Sequence, residues 1–395
     1  MTELRRRATG PKISKPMHMK KLMSEQTNNS KSNTNTIVSI VLKVLLVVVV
    51  VPPMLNYAGL QKEREFLTSN LTRYDIGFSQ KMFLNCTGSG LPTVILDAPT
   101  GLTSDVWLLG QQELSRYTRV CVYDRAGLGF SDPPPQLNMS DPGEGAVART
   151  LGKEGTSVRM VNDLHRLVTF SYPQERPFLL VGSELGGLVA RMYAHLHPQD
   201  VSHVVMIDPI SESLFDDVSN KNDVEKTENP WISYWFGHLL LSFRLLQVSA
   251  MVGLSRVGLL TGLLTPPLTA LNTQAGAEFS IRQKHNLCNP FHVQAVFDEH
   301  RAVNDSLTQM REIQAAWPLN TSSTIISGTY YDEELPPPLN RGWSRAVQDV
   351  IASMGSKHHV ITGGDRHMIH SSSLVREALA PVVRIIKTWR ANNKT

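Results

Sequence analysis

Apolar residues recur along this 395-residue chain in two registers. Short continuous apolar runs at 93–97, 119–124, 178–181, 201–208, 324–327 and 359–362 predict buried strands, and residues 81–86 alternate as a half-buried strand does. Between them, apolar positions return at helical spacing. Val158, Val161, Leu164, Leu167 and Val168 line one face of a helix predicted over 157–172. Leu374, Leu379, Val382, Val383, Ile386 and Trp389 line another over 373–389. Strands alternating with amphipathic helices predict a mostly parallel sheet covered on both faces. The alternation stops over about 210–317, where the material is helical and apolar, above all from Trp231 to Leu264. Arg244, Arg256 and several glycines interrupt that stretch, so it reads as buried or interfacial lid helices rather than as a membrane span.

Residues 37–57 are the most apolar part of the chain and long enough to cross a bilayer, with Lys43 as the one charge. A cleaved signal peptide is the alternative. A leader of about 36 residues before the apolar core, and no small-residue cleavage site after it, favour a retained signal anchor. Four segments follow from this reading. Residues 1–36 form a basic tail, 37–57 the anchor, 58–75 a charged linker and 76–395 the main domain. The formal net charge of +4 resides in the tail, where Arg5, Arg6, Arg7, Lys12, Lys15, Lys20, Lys21 and Lys31 face only Glu3 and Glu25. The main domain therefore offers no basic footprint for nucleic acid. The tail should stay cytoplasmic, leaving the main domain lumenal or extracellular. Sequons at Asn70, Asn85, Asn138, Asn304, Asn320 and Asn393 fit that side and a glycoprotein. With three cysteines at most one bridge can form within the chain; Cys86 and Cys288 are the possible pair, and Cys121 is expected to be inert core.

Residues 177–191 combine a buried strand, a glycine-bounded turn and a helix. This is the form of a nucleophile elbow, in which one side chain is held on a strained turn. In the spacing Gly-x-Ser-x-Gly, with Gly182 and Gly186 outermost, the middle residue is Glu184, and Ser183 stands one position early. Two further motifs accompany it: Val-Tyr-Asp-Arg-Ala-Gly-Leu-Gly-Phe-Ser-Asp at 122–132, and Gly-Gly-Asp-Arg-His at 363–367 before the final helix. Together, in this order and with a lid insert, they resemble the α/β-hydrolase superfamily from about Arg73 onward. The resemblance implies an eight-stranded, mostly parallel sheet with helices on both faces and a site at the strands' C-terminal ends.

The resemblance also assigns roles. His367 takes the place of the family histidine, with His370 as fallback, and Asp332, after the strand at 324–327, takes that of the acid. Glu333 and Glu334 are adjacent alternatives. Leu185 and Thr100 would supply oxyanion-hole N–H groups, because Pro99 has none to give. Three readings of Glu184 stay open. In the first, the chain is a degenerate hydrolase that binds a small hydrophobic or lipid-like molecule, with Glu184 forming an ion pair with His367. In the second, Glu184 is a carboxylate nucleophile acting on an epoxide or ester, as aspartate does in epoxide hydrolases and dehalogenases of the superfamily. In the third, Ser183 is a displaced nucleophile. No cofactor, metal or nucleotide site is expected, since Gly127-Leu-Gly129 lacks the rest of a phosphate loop.

Overall fold

The computed structural model describes residues 17–68, 71–138, 140–216, 229–317, 319–354 and 358–393. Eight strands form one sheet: β1 (Arg73–Asp75), β2 (Lys81–Thr87), β3 (Thr93–Asp97), β4 (Val120–Tyr123), β5 (Phe178–Ser183), β6 (Val201–Ile207), β7 (Ser322–Ser327) and β8 (His359–Ile361). Their order is β1-β2-β4-β3-β5-β6-β7-β8. The pairs β1/β2 and β2/β4 are antiparallel and every later pair is parallel. Asp97 lies opposite Gly182 and Ser183 opposite Ile207, so β3, β5 and β6 end level and their following loops converge.

The period of two along each strand sorts the core into two layers. Ile95, Leu180, Val204 and Ile325 pack with Met160, Leu164 and Leu188, from the helices Ser157–Arg166 and Leu185–Leu196. Val94, Val181, Val205 and Ile326 pack with Leu114, Leu379 and Val382, from Leu108–Leu114 and Val375–Asn392. The helix expected over 157–172 changes pitch after Arg166 and closes as a wider π turn, Leu167–Ser171. Among the described residues, the lid after β6 includes the helices Leu240–Met251, Leu254–Thr261, Asn272–Cys288, Pro290–Arg301 and Val303–Ala316. The segments Pro230–Met251 and Leu254–Thr261 meet at a 98° bend.

The chain divides into two compact units, Met1–Met54 and Leu55–Thr395. A helix runs from Met17 to Thr68, with Pro52 and Pro53 inside it. Its part Val38–Thr68 is long and apolar enough to cross a membrane. The first sixteen residues of the basic tail, and the sequon asparagine at 70, lie outside the described residues. In the second unit, the segment expected to be a linker is helical through Thr68. Its charge is not all solvated, because Glu63 is buried against Arg256 of the lid, with nitrogen–oxygen distances of 2.7 and 2.9 Å.

The cysteine expectation is also corrected. Cys86 and Cys121 face each other across β2 and β4 and are bridged, whereas Cys288 is free and buried. Sequence separation gave no hint of this, because the pairing depends on the antiparallel register of two strands 35 residues apart.

Candidate functional site

The site is built where β5 ends. Glu184 takes φ 49° and ψ −113°, a conformation that side-chain-bearing residues rarely adopt. Neighbouring glycines make it feasible. A Cβ at Gly182 would come within 2.0 Å of the Gly186 carbonyl oxygen, and one at Gly186 within 2.6 Å of the Asp97 carbonyl oxygen. The Glu184 N–H donates to the Ile207 carbonyl, and the Glu184 carbonyl accepts from Gly187 and Leu188, which ties the turn to β6 and to its own helix. The result is an elbow with a carboxylate at its tip. Ser183 remains inside β5, buried and paired with Ile207.

The Glu184 carboxylate is only 2% exposed as a residue, so its partners decide its chemistry. Tyr331 donates its hydroxyl to Oε1 at 3.2 Å, and the Arg366 Nε lies 3.4 Å from the same oxygen. Arg366 also donates to the Tyr331 oxygen at 3.0 Å and approaches Asp332 at 3.8 Å. Burial alone would depress the Arg366 guanidinium. The neighbouring Glu184, Tyr331 and Asp332 reverse that and raise its pKa above the ordinary value. The ion pair expected between Glu184 and His367 is therefore replaced by one with Arg366. The tight turn Arg366–His370 directs the arginine inward and leaves His367 exposed.

His367 is held from the other side. Its N–H donates to Asp365 Oδ1 at 3.0 Å, and its Nδ1 lies 3.3 Å from Nε2 of His370. His370 is buried, with its Nδ1 lacking a protein partner. Burial, His367 and Arg366 push its pKa down to about 4. The ligand atoms of Asp332, Asp365 and His367 lie within 4.8 Å of one another, close enough to hold a metal ion. A second such group, His165, His197 and Asp200, lies elsewhere, and there Arg176 already pairs with Asp200 at 2.6 Å.

The loop after β3 brings Thr100 and Gly101 beside Glu184. The Gly101 N–H is already taken, donating to Glu299 Oε2 of the lid at 2.8 Å. Glu299 in turn pairs with Arg125 at 2.7 Å, and Arg125 with Asp97 at 2.6 Å. All three are buried, so this network fastens the lid to the ends of β3 and β4. Asp124, from the same motif as Arg125, accepts the N–H groups of Ser104 and Phe130 and so holds its turn. Leu185 opens the elbow helix and is fully buried, while the buried Thr100 hydroxyl has no protein partner.

Above the elbow, the lid closes a cavity of about 240 Å3. Thr100, Glu184, Tyr331 and Arg366 form its polar floor, and Trp235, Phe243 and Leu246 belong to its apolar wall. A larger cavity of about 330 Å3, lined by Met82, Gly127 and Phe291, lies behind Arg125 and Glu299. It does not reach Glu184.

Sequence reading missed three residues that shape this site: Arg366, Tyr331 and Asp208. Arg366 and Tyr331 stand next to the expected His367 and Asp332, and only the local turns decide which neighbour points inward. Asp208 ends the apolar run of β6 with φ 43° and is 3% exposed. It accepts the Gly328 N–H at 3.3 Å. Burial, with the charges of Glu184 and Asp365 adding to it, pushes the Asp208 carboxyl up to about 8.

A family model described as alpha/beta hydrolase fold matches residues 88–280. This chain has the α/β-hydrolase fold. Solved structures agree. The Cif epoxide hydrolase from Acinetobacter nosocomialis superposes with a TM-score of 0.56 at 13% identity, over 83% of this chain and 96% of that one. A structure from the ammonia-oxidising thaumarchaeon Nitrososphaera gargenis, from work on its carboxylesterases, gives 0.51 at 16% identity, over 80% and 99%. At such identities the likeness defines the α/β-hydrolase fold and no more. Among curated proteins, 147 residues are 26% identical to Probable transporter efuK of Hormonema carpetanum, covering 36% of this chain and 19% of that protein. A stretch of 115 residues is 26% identical to an uncharacterized vacuolar membrane protein of Saccharomyces cerevisiae (strain YJM789), covering 29% and 15%. The matched stretches thus span less than a fifth of the length of these relatives.

Proposed function

We propose that this α/β-hydrolase-fold chain is a membrane-tethered binding protein that holds a small hydrophobic molecule beneath its lid and does not hydrolyse it. The observation that carries this reading is the Glu184–Arg366 pair, reinforced by Tyr331. A nucleophilic carboxylate must leave its partners as it attacks carbon. Here it is buried, shares its charge with a guanidinium and accepts a phenol hydrogen, all of which lower its reactivity. A serine mechanism lacks its hydroxyl at the elbow tip, and Ser183 is not among the residues lining the cavity. The Gly101 N–H that could steady an oxyanion is occupied by Glu299.

The apolar wall of the cavity supports a hydrophobic ligand, and its polar floor would orient one polar end. The apolar helix Val38–Thr68 and the vacuolar membrane relative support a membrane tether; the basic tail is read as cytoplasmic, which would put the main domain on the lumenal or extracellular side. A second reading, Glu184 as nucleophile with His367 and Asp332 activating water, draws on the exposure of Glu184 to the cavity. Arg366 weighs against it.

Binding is tested by titrating the purified chain with a dansylated medium-chain fatty acid. Saturable binding is expected, weakened about tenfold or more (1.4 kcal/mol) by Leu246→Trp, which fills the cavity. An absence of saturable binding would sink the proposal.

A further inference from the structure

The lid helices carry apolar side chains on two opposite faces. One face is used: Leu239, Phe243 and Leu246 line the cavity above Glu184. The other is bare. Leu241, Leu245, Val248, Met251, Leu260 and Leu263 are between 49% and 87% exposed. On Leu240–Met251 the exposed positions recur at helical spacing, and the 98° bend continues the stripe onto Leu254–Thr261. Residues 229–277 contain no aspartate or glutamate. A water-facing lid would have no physical reason to keep so large an apolar face.

What covers it is indicated by where the lid is fastened. Asn56, at the end of the apolar stretch 37–57, is buried. Its Nδ2 donates to the carbonyls of Ala250 and Cys288 at 2.9 and 3.0 Å, and its Oδ1 accepts from Arg256 at 3.0 Å. Gly59, one turn on, lies so close to Arg256 that a Cβ there would fall within 2.5 Å of the guanidinium carbon. The lid bend is therefore docked on the last residues of the apolar stretch and the turn that follows it. If that stretch is the span, chain connectivity keeps the bend within a few residues of where the chain leaves the membrane.

We propose that the outer face of the lid lies in the facing leaflet of the same membrane, immersed about 5–10 Å into the boundary between headgroups and acyl chains. This rests on reading residues 37–57 as a retained span. It deepens the ligand assignment, because the cavity is then one helix away from the acyl chains and a lipid-like molecule can enter without crossing water.

The test uses the full-length chain reconstituted in phosphatidylcholine vesicles, with single cysteines introduced by Leu245→Cys, Leu263→Cys or Phe170→Cys and labelled with nitrobenzoxadiazole. Phe170 is 70% exposed, but it precedes β5 at the opposite end of the strands. The buried Cys288 and the bridged Cys86 and Cys121 should leave little background labelling. Labels at 245 and 263 are expected to emit at shorter wavelength than the label at 170, and to be quenched several-fold more by doxyl-lipid. Aqueous emission at both lid sites in chains that float with the vesicles overturns the lid proposal and leaves the tether standing. Blue-shifted labels untouched by doxyl-lipid indicate a protein partner and also overturn it. Chains that do not float overturn tether and lid together.

Discussion

Nε of Arg366 lies 3.4 Å from Oε1 of Glu184, and the hydroxyl of Tyr331 bonds to both groups. The carboxylate at the tip of this positive-φ turn is thus paired with a guanidinium and accepts a phenol hydrogen.

Arg366→Met should leave Glu184 buried without a counter-charge. Losing one partner of a fully buried pair costs about 3–5 kcal/mol. Because the Arg366 side chain is 29% exposed and partly screened, a loss nearer 1–3 kcal/mol is expected in urea unfolding at pH 7. The loss should shrink when Glu184→Gln is added, because no charge is then left stranded. Equal destabilisation with and without Glu184→Gln would mean that packing, not charge, is responsible.

Asp208 should make the fold less stable as pH rises. Its carboxyl is pushed up to about 8 from an ordinary 3.8, so between those values the folded chain binds a proton that the unfolded chain does not. The associated stability is complete below the lower value and is lost as pH rises through the upper one, at up to about 1.4 kcal/mol per pH unit. Asp208→Asn should remove that slope while keeping an acceptor for the Gly328 N–H. Unfolding free energies measured from pH 5 to pH 9 decide it, and parallel curves for variant and wild type would refute it.

Thiol counting tests the cysteine pairing. Unreduced native chain should react with no more than traces of maleimide, and denaturation without reductant should reveal one thiol, Cys288. Peptide mapping should recover Cys86 joined to Cys121. Three reactive thiols after denaturation would contradict the bridge.

Much of this fold was legible in the sequence because strand and helix periods are local signals. The runs read at 93–97, 119–124, 178–181 and 201–208 fall within two residues of strands β3, β4, β5 and β6, and the glycines that permit the turn at Glu184 were recognisable too. The three-residue strand β1 was too short to show a period. What escaped depends on tertiary placement. Whether residue 366 or 367 turns inward depends on one short helical turn, the partner of Cys86 depends on strand order, and the helix beyond residue 57 depends on Arg256, nearly 200 residues away, to satisfy Glu63.

The central claim is that the carboxylate at the elbow binds and does not attack. Its most direct test is turnover of a panel of epoxides and p-nitrophenyl esters by the full-length chain, beside Glu184→Gln and with a fluorophosphonate labelling arm. The account predicts no turnover by wild type above that of Glu184→Gln, and no label. Wild-type turnover that Glu184→Gln abolishes would contradict it.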